Sequence, residues 1–177
     1  MLCYLDSSAL LKRVVSEAES NNLNDWMAIY QRGGASLLTS VLSEVEIARA
    51  LWQAVAAGRL ASKAQRTMLE AALGAVSTVA LTKTIRAEAQ TIGGDTLRSL
   101  DAIHVATAWL AGADVVVTYD DRMIQACMAV GLPTARPGVT GAVLPPGWAW
   151  ISDEEDVFTP ARAMADRRPG DPPVIIG

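Results

Sequence analysis

Two short apolar runs, Leu2-Cys3-Tyr4-Leu5 and Val115-Val116-Val117-Thr118-Tyr119, each end directly in an aspartate, Asp6 and Asp120. Runs this short and this apolar read as buried strands of a parallel sheet covered by helices. An acid inside such a strand is costly to bury, but at the carboxyl end it can face a cleft. In open α/β sheets ligands bind at those ends, near the switch in strand order.

The rest of the chain alternates in the same way. Ser7 or Ser8 is suited to cap a helix reaching about Ser16. A second helix spans about 20–32, with Leu23, Trp26, Met27 and Tyr30 on one face and Gly33-Gly34 as its stop. Leu37-Leu38-Thr39 reads as a strand. A long helix then opens at Ser40 or Ser43 and runs to about Ala57, with Val41, Val45, Ala48 and Trp52 as its apolar stripe. Further helices are predicted over 62–74, 82–92, 100–110 and 121–130, strands over 76–81 and 115–118, and a short edge strand after Gly131. Strand-helix alternation implies βαβ units with right-handed crossovers. The expected fold is therefore α/β, a three-layer α/β/α sandwich with a central, mostly parallel sheet.

Composition sets limits. The 177 residues suit one domain with a full core. Hydrophobic residues make up 51% and the mean hydropathy is +0.24, yet no run has the roughly 18 uninterrupted apolar residues of a membrane span. No leader pattern precedes the first strand, so the expected location is cytoplasmic, with no membrane partner. Cys3 and Cys127 sit in apolar settings and read as reduced packing residues. The net charge of −4 is unevenly spread: residues 139–177 carry six acids and three arginines, a net of −3, leaving 13 acids and 12 bases, a net of −1, in residues 1–138. That balance neither excludes nor supports an RNA partner.

Four acids stand out together. Asp6 and Asp120 follow strands; Glu46 lies inside a helical pattern between Val45 and Ile47; Asp101 opens the apolar helix Leu100–Leu110. Each has a bland role: a helix cap for Asp6 and Asp101, turn chemistry for Asp120, a solvated helix face for Glu46. Asp121 competes with Asp120 and Glu44 with Glu46, since neighbours in each pair point in different directions. Clustered carboxylates repel one another or take up protons, and a divalent cation resolves that conflict. Mg²⁺ and Mn²⁺ prefer such oxygen ligands and activate water against phosphate esters. His104, three residues beyond Asp101 on the same helix face, reads first as a hydrogen-bonded core histidine. Thr118 is placed to orient a carboxylate through its hydroxyl.

These segments resemble the PIN-domain family in order and context. Tyr-Leu-Asp-Ser-Ser-Ala-Leu-Leu-Lys at 4–12 is similar to the family's opening motif, and Thr-Ser-Val-Leu-Ser-Glu-Val-Glu-Ile-Ala-Arg-Ala-Leu at 39–51 to its second. Leu-Asp-Ala-Ile-His-Val-Ala-Thr-Ala at 100–108 and Val-Thr-Tyr-Asp-Asp-Arg-Met at 117–123 resemble the third and fourth. The resemblance covers 1–138 and is closest to VapC-like toxins of toxin–antitoxin pairs. It implies a Mg²⁺- or Mn²⁺-dependent ribonuclease with an RNA substrate, homodimeric and held inactive by an antitoxin protein. Carried over by motif, the catalytic and metal-binding acids are Asp6, Glu46, Asp101 and Asp120. Glu46 is preferred by its spacing from Ser40, and Asp120 because the family pattern is Thr-any-Asp. Arg49, Arg98 and Arg122 are candidate phosphate contacts. Non-toxin RNA processing, or a silent RNA- or protein-binding scaffold, are the alternatives.

Seven of the eight prolines fall from Pro137 onward, and residues 139–177 show no sustained period. This acidic stretch reads as a partly disordered extension, with Trp148, Trp150 and Phe158 able to dock it. It departs from the family pattern. Its candidate roles are none, which is preferred, an extension of the dimer, or cover for the acids by Arg162, Arg167 or Arg168. Other chemistries lack their residues. A haloacid-dehalogenase-like phosphatase needs an acid where Ser8 stands. A receiver domain needs paired acids and a late lysine, and neither a Gly-x-x-x-x-Gly-Lys loop nor a Gly-x-Gly-x-x-Gly turn occurs.

Overall fold

Five parallel strands form the centre of the computed structural model, which describes residues 1–93 and 97–139. They are β1 (Leu2–Leu5), β2 (Ser36–Ser40), β3 (Ser77–Val79), β4 (Val115–Val117) and β5 (Thr134–Ala135), in the order β3-β2-β1-β4-β5. Each neighbouring pair is parallel, with Tyr4 beside Leu38 on one side and Val116 on the other. From β1 the chain builds outward through β2 and β3, then returns to place β4 on the opposite flank. The strand order thus switches between β1 and β4, and the carboxyl ends of those two strands lead to Asp6 and Asp120.

The pleat of these strands explains the three layers. Cys3, Leu5, Val115 and Val117 pack on one face with α1 (Ser7–Lys12), α2 (Ser20–Arg32), α3 (Leu42–Ala56) and α4 (Gln65–Leu73). Tyr4 and Val116, one residue out of phase, pack on the other with α5 (Lys83–Glu88), α6 (Ser99–Leu110) and α7 (Asp121–Ala129). β1 and β4 are buried on both faces, except at Leu2. The α/β sandwich expected from the sequence is the one found. None of the described helices is long and apolar enough to cross a membrane. The proposed extension beyond residue 139, with its tryptophans and arginines, lies outside the described residues.

Several boundaries differ from expectation for identifiable reasons. The cap of α1 is Asp6, as its bland role had it, and not Ser7 or Ser8; its side chain accepts from the Ala9 backbone N–H. α1 ends at Lys12 rather than near Ser16, and α5 stops at Glu88 and continues as turns to Gly93. α3 begins at Leu42, where Ser40 Oγ accepts from the Leu42 N–H.

The larger correction concerns the face of α3. The buried row is Ser43, Ile47 and Leu51, whereas Val45 and Trp52 are 60% and 54% exposed. A stripe chosen for apolarity alone skips Ser43. That hydroxyl is buried without penalty because it meets Thr39 Oγ1 at 2.7 Å, which itself donates to the Leu5 carbonyl at 2.7 Å. The buried row therefore lies on a different side of the helix from the predicted stripe of Val41, Val45, Ala48 and Trp52.

Adjacent residues on α3 should consequently behave oppositely. Leu51→Ala is expected to cost about 2–5 kcal/mol in urea unfolding. Trp52→Ala, despite removing the larger side chain, should shift stability by under about 1 kcal/mol.

Candidate active site

The carboxyl ends of β1 and β4 meet at Asp6. This residue is 5% exposed, and its carboxylate is tied to both flanking segments. Oδ1 accepts from the Ala9 N–H at 2.8 Å, Ser8 Oγ lies 2.7 and 2.9 Å from the two oxygens, and Thr118 Oγ1 donates to Oδ2 at 2.6 Å. Burial pushes the Asp6 carboxyl above its ordinary range, and these hydrogen bonds pull it part of the way back. Three donors serve the four acceptor positions of a carboxylate, which leaves one for a ligand. The cap and a ligand role are therefore compatible.

Thr118 extends this bracing to the next acid, because its Oγ1 also accepts from the Asp120 N–H at 3.1 Å. Asp120 caps α7, accepting from the N–H groups of Arg122 (2.8 Å) and Met123 (3.4 Å). Burial raises the Asp120 carboxyl, but these bonds and the Arg122 charge outweigh it and hold the group below its usual range. Asp121 points elsewhere: its side chain is 78% exposed and paired with Arg136 at 2.6 Å. Arg136 also reaches the Tyr119 carbonyl at 3.2 Å, fixing the strand exit just before the two aspartates.

Asp101 lies in the first turn of α6 but caps nothing; the cap position is Arg98, which makes no side-chain bond there. Its Oδ2 is buried without a hydrogen-bond partner. Burial first and the Asp120 charge second push the Asp101 carboxyl up, while Arg122, His104 and Arg98 act in the opposite sense. These two acids are thus close enough to sense one another. Arg98 and Arg122 flank them, whereas Arg49 lies over the Trp52 ring on the outer face of α3, in a groove shared with Glu44.

Glu46 reaches the site from the opposite helical layer. Its Oε2 accepts from His104 Nε2 at 2.7 Å and from Ser7 Oγ. Burial raises the Glu46 carboxyl, but the bonds from His104 and Ser7 prevail and hold it below its ordinary value. Beyond the ring, His104 Nδ1 meets the Tyr4 hydroxyl at 2.6 Å. His104 is 3% exposed, as expected of a core histidine, yet its partner is one of the four acids. Its position one helical turn from Asp101 puts it near that acid, but nothing in the sequence pairs it with Glu46. Nothing in the spacing identifies Tyr4 or Ser7 as further members.

Among the described residues no three His, Cys, Asp or Glu side chains are already gathered closely enough to hold an ion. The chemistry of the donors nonetheless fits a hard divalent cation. All four are carboxylates, one oxygen of Asp101 has no protein partner, and that carboxyl is raised by burial and then by the neighbouring Asp120 charge. Cys3 and Cys127 are no alternative ligands, since burial lifts both thiols to about 12.

Asp101 should destabilise the metal-free protein at neutral pH. Its carboxyl is raised on folding, so the folded state binds the proton more readily than the unfolded chain, and the cost disappears as pH falls through the raised value. Asp101→Asn is expected to raise stability by about 1 kcal/mol at neutral pH. That advantage should shrink toward about pH 4, measured by urea unfolding in chelator.

The family model for the PIN domain matches residues 3–127. Ribonuclease VapC47 of Mycobacterium tuberculosis is 36% identical over 139 residues, covering 77% of this chain and 98% of the relative. Ribonuclease VapC46 of the same species is 37% identical over 136 residues, covering 76% and 96%. Among solved structures, VapBC2 of Rickettsia felis, bound to a DNA fragment from its promoter, aligns at a TM-score of 0.55. The identity is 10%, with 71% of this chain and 93% of that one covered. VapBC-1 of nontypeable Haemophilus influenzae aligns at 0.54 with 14% identity, covering 76% and 97%. The two structures share the fold.

Proposed function

Because the chain belongs to the PIN-domain family, we propose that it is a divalent-metal-dependent endoribonuclease acting as the toxin of a toxin–antitoxin pair. The observation that carries the reading is the unpartnered, buried Oδ2 of Asp101 beside Asp120, in a chain over 35% identical to VapC ribonucleases. A satisfied structural site would not leave that oxygen without a donor.

Asp6, Glu46, Asp101 and Asp120 would hold Mg²⁺ or Mn²⁺. When bound, the ion supplies Lewis-acid stabilisation of charge on the phosphodiester and lowers the pKa of water for the attack. The protein's own groups do the rest. Thr118 and Ser8 fix Asp6, the α7 N-terminus keeps Asp120 ionised, and His104 and Ser7 do the same for Glu46. Arg98 and Arg122, which flank the acids, bind the RNA backbone. Arg49 is less suited to that role because its charge sits on the outer groove.

Antitoxin binding, homodimerisation and a cytoplasmic setting complete the proposal. The exposed Val45 and Trp52 of α3 and the exposed Leu100, Leu110 and Met128 of α6 and α7 are apolar surface suited to protein partners.

Incubation with a mixed RNA pool tests the nuclease. The wild type should cleave with Mn²⁺ and not with chelator. Asp6→Ala and Asp101→Ala should lower the rate by at least about 10²-fold while remaining folded. Glu44→Gln and Asp121→Asn should leave it within a few-fold. Cleavage that survives chelation or both alanine variants would remove the reading.

A further inference from the structure

The Glu46–His104 hydrogen bond joins the two helical layers across the strand ends, since Glu46 is on α3 and His104 on α6. Its ends are unequal. On the α6 side the ring is buried and fixed at both nitrogens, by Tyr4 at 2.6 Å and Glu46 at 2.7 Å. An ionised carboxylate only accepts, so Nε2 must carry a proton and Nδ1 is left facing the Tyr4 hydroxyl. On the α3 side both donors, His104 and Ser7, fall on Oε2, and Oε1 takes neither. A glutamate on a helix face has three side-chain torsions, and free rotation would scatter its oxygens.

We propose that His104 is the positioning residue for Glu46: held by Tyr4, it binds Oε2 and so leaves Oε1 as the oxygen offered to the divalent cation. This rests on the metal-dependent reading above and adds a residue to it. Carboxylate ligands need such outer bonds to hold orientation, and losing one typically weakens metal binding by roughly 10–100-fold. A plain core histidine would contribute packing alone and would leave cation affinity unchanged.

Isothermal titration of the full chain with Mn²⁺ separates the two. His104→Gln keeps an N–H near the place of Nε2, and His104→Leu keeps only bulk. The leucine variant, its fold checked by circular dichroism, should bind Mn²⁺ at least about tenfold more weakly than wild type. The glutamine variant should recover most of that loss. Wild-type affinity in a folded His104→Leu protein, or equal losses in both variants, would overturn the proposal.

Should the leucine variant fail to fold, nitrogen-15 NMR of the wild type decides, because the chain has a single histidine and so a single imidazole. Its Nε2 should be protonated, and its signal should move on Mg²⁺ titration. The response should vanish in Glu46→Gln. A bare Nε2, or a ring indifferent to Mg²⁺ in a protein that binds it, would overturn the inference alone. Absence of any Mn²⁺ binding by the wild type would instead remove the metal-dependent reading and this inference with it.

Discussion

A carboxyl group buried at the centre of the fold is the constraint around which the rest is arranged. Asp6 follows the central strand and is almost wholly inaccessible to water, so it survives only with donors from several directions. One comes from the first turn of α1 and another from Thr118 at the end of β4. Supplying them requires β1 and β4 to be adjacent, and the parallel pairing of Cys3, Tyr4 and Leu5 with Val115, Val116 and Val117 makes them so. The strand switch between β1 and β4 is thus also what satisfies Asp6. Asp114 reinforces the other end of the pair, accepting from the Leu2 N–H at 2.6 Å.

The four acids do not share one environment. Asp120 and Glu46 are held below their ordinary range by hydrogen bonds, whereas Asp6 and Asp101 are pushed above it, chiefly by burial. Asp120 has backbone donors from a helix N-terminus, and Glu46 has an imidazole and a hydroxyl. Asp101 lacks such donors on Oδ2. Stability is spent unevenly, and the least satisfied group is the one whose needs an external cation meets best.

Much of this was legible in the sequence. Short apolar runs ending in aspartate gave both central strands and the strand switch between them, because the pleat and the βαβ rule leave few alternatives. Glycine stops and apolar periods located most helices. The face of α3 was ambiguous, because Ile47 and Leu51 compete with the equally periodic Val41, Val45, Ala48 and Trp52, and the residue that completes the true row is a serine. Ser43 is polar by type and buried by context, through a hydrogen bond to Thr39 that becomes visible only when β2 and α3 are side by side. The partner of His104 was hidden for the same reason, as Glu46 is 58 residues away in the chain. Composition and period report a residue's own preference, while a cross-layer hydrogen bond depends on two segments meeting.

The order of the strands also has a consequence for synthesis. Within the domain β1 is made before the other four strands, yet one of its two neighbours is β4, made more than a hundred residues later. Until Val115–Val117 arrive, one edge of the central strand is open and Asp6 lacks its Thr118 donor. α6 and α7, which bring Asp101 and Asp120, also belong to this final third of the domain. A nascent chain therefore cannot complete the hydrogen bonds of Asp6, or set Asp101 beside Asp120, in stages. Under the nuclease reading, a ribosome would carry no active enzyme until nearly the whole domain had been translated, so completion of the fold would itself time the onset of RNA cleavage.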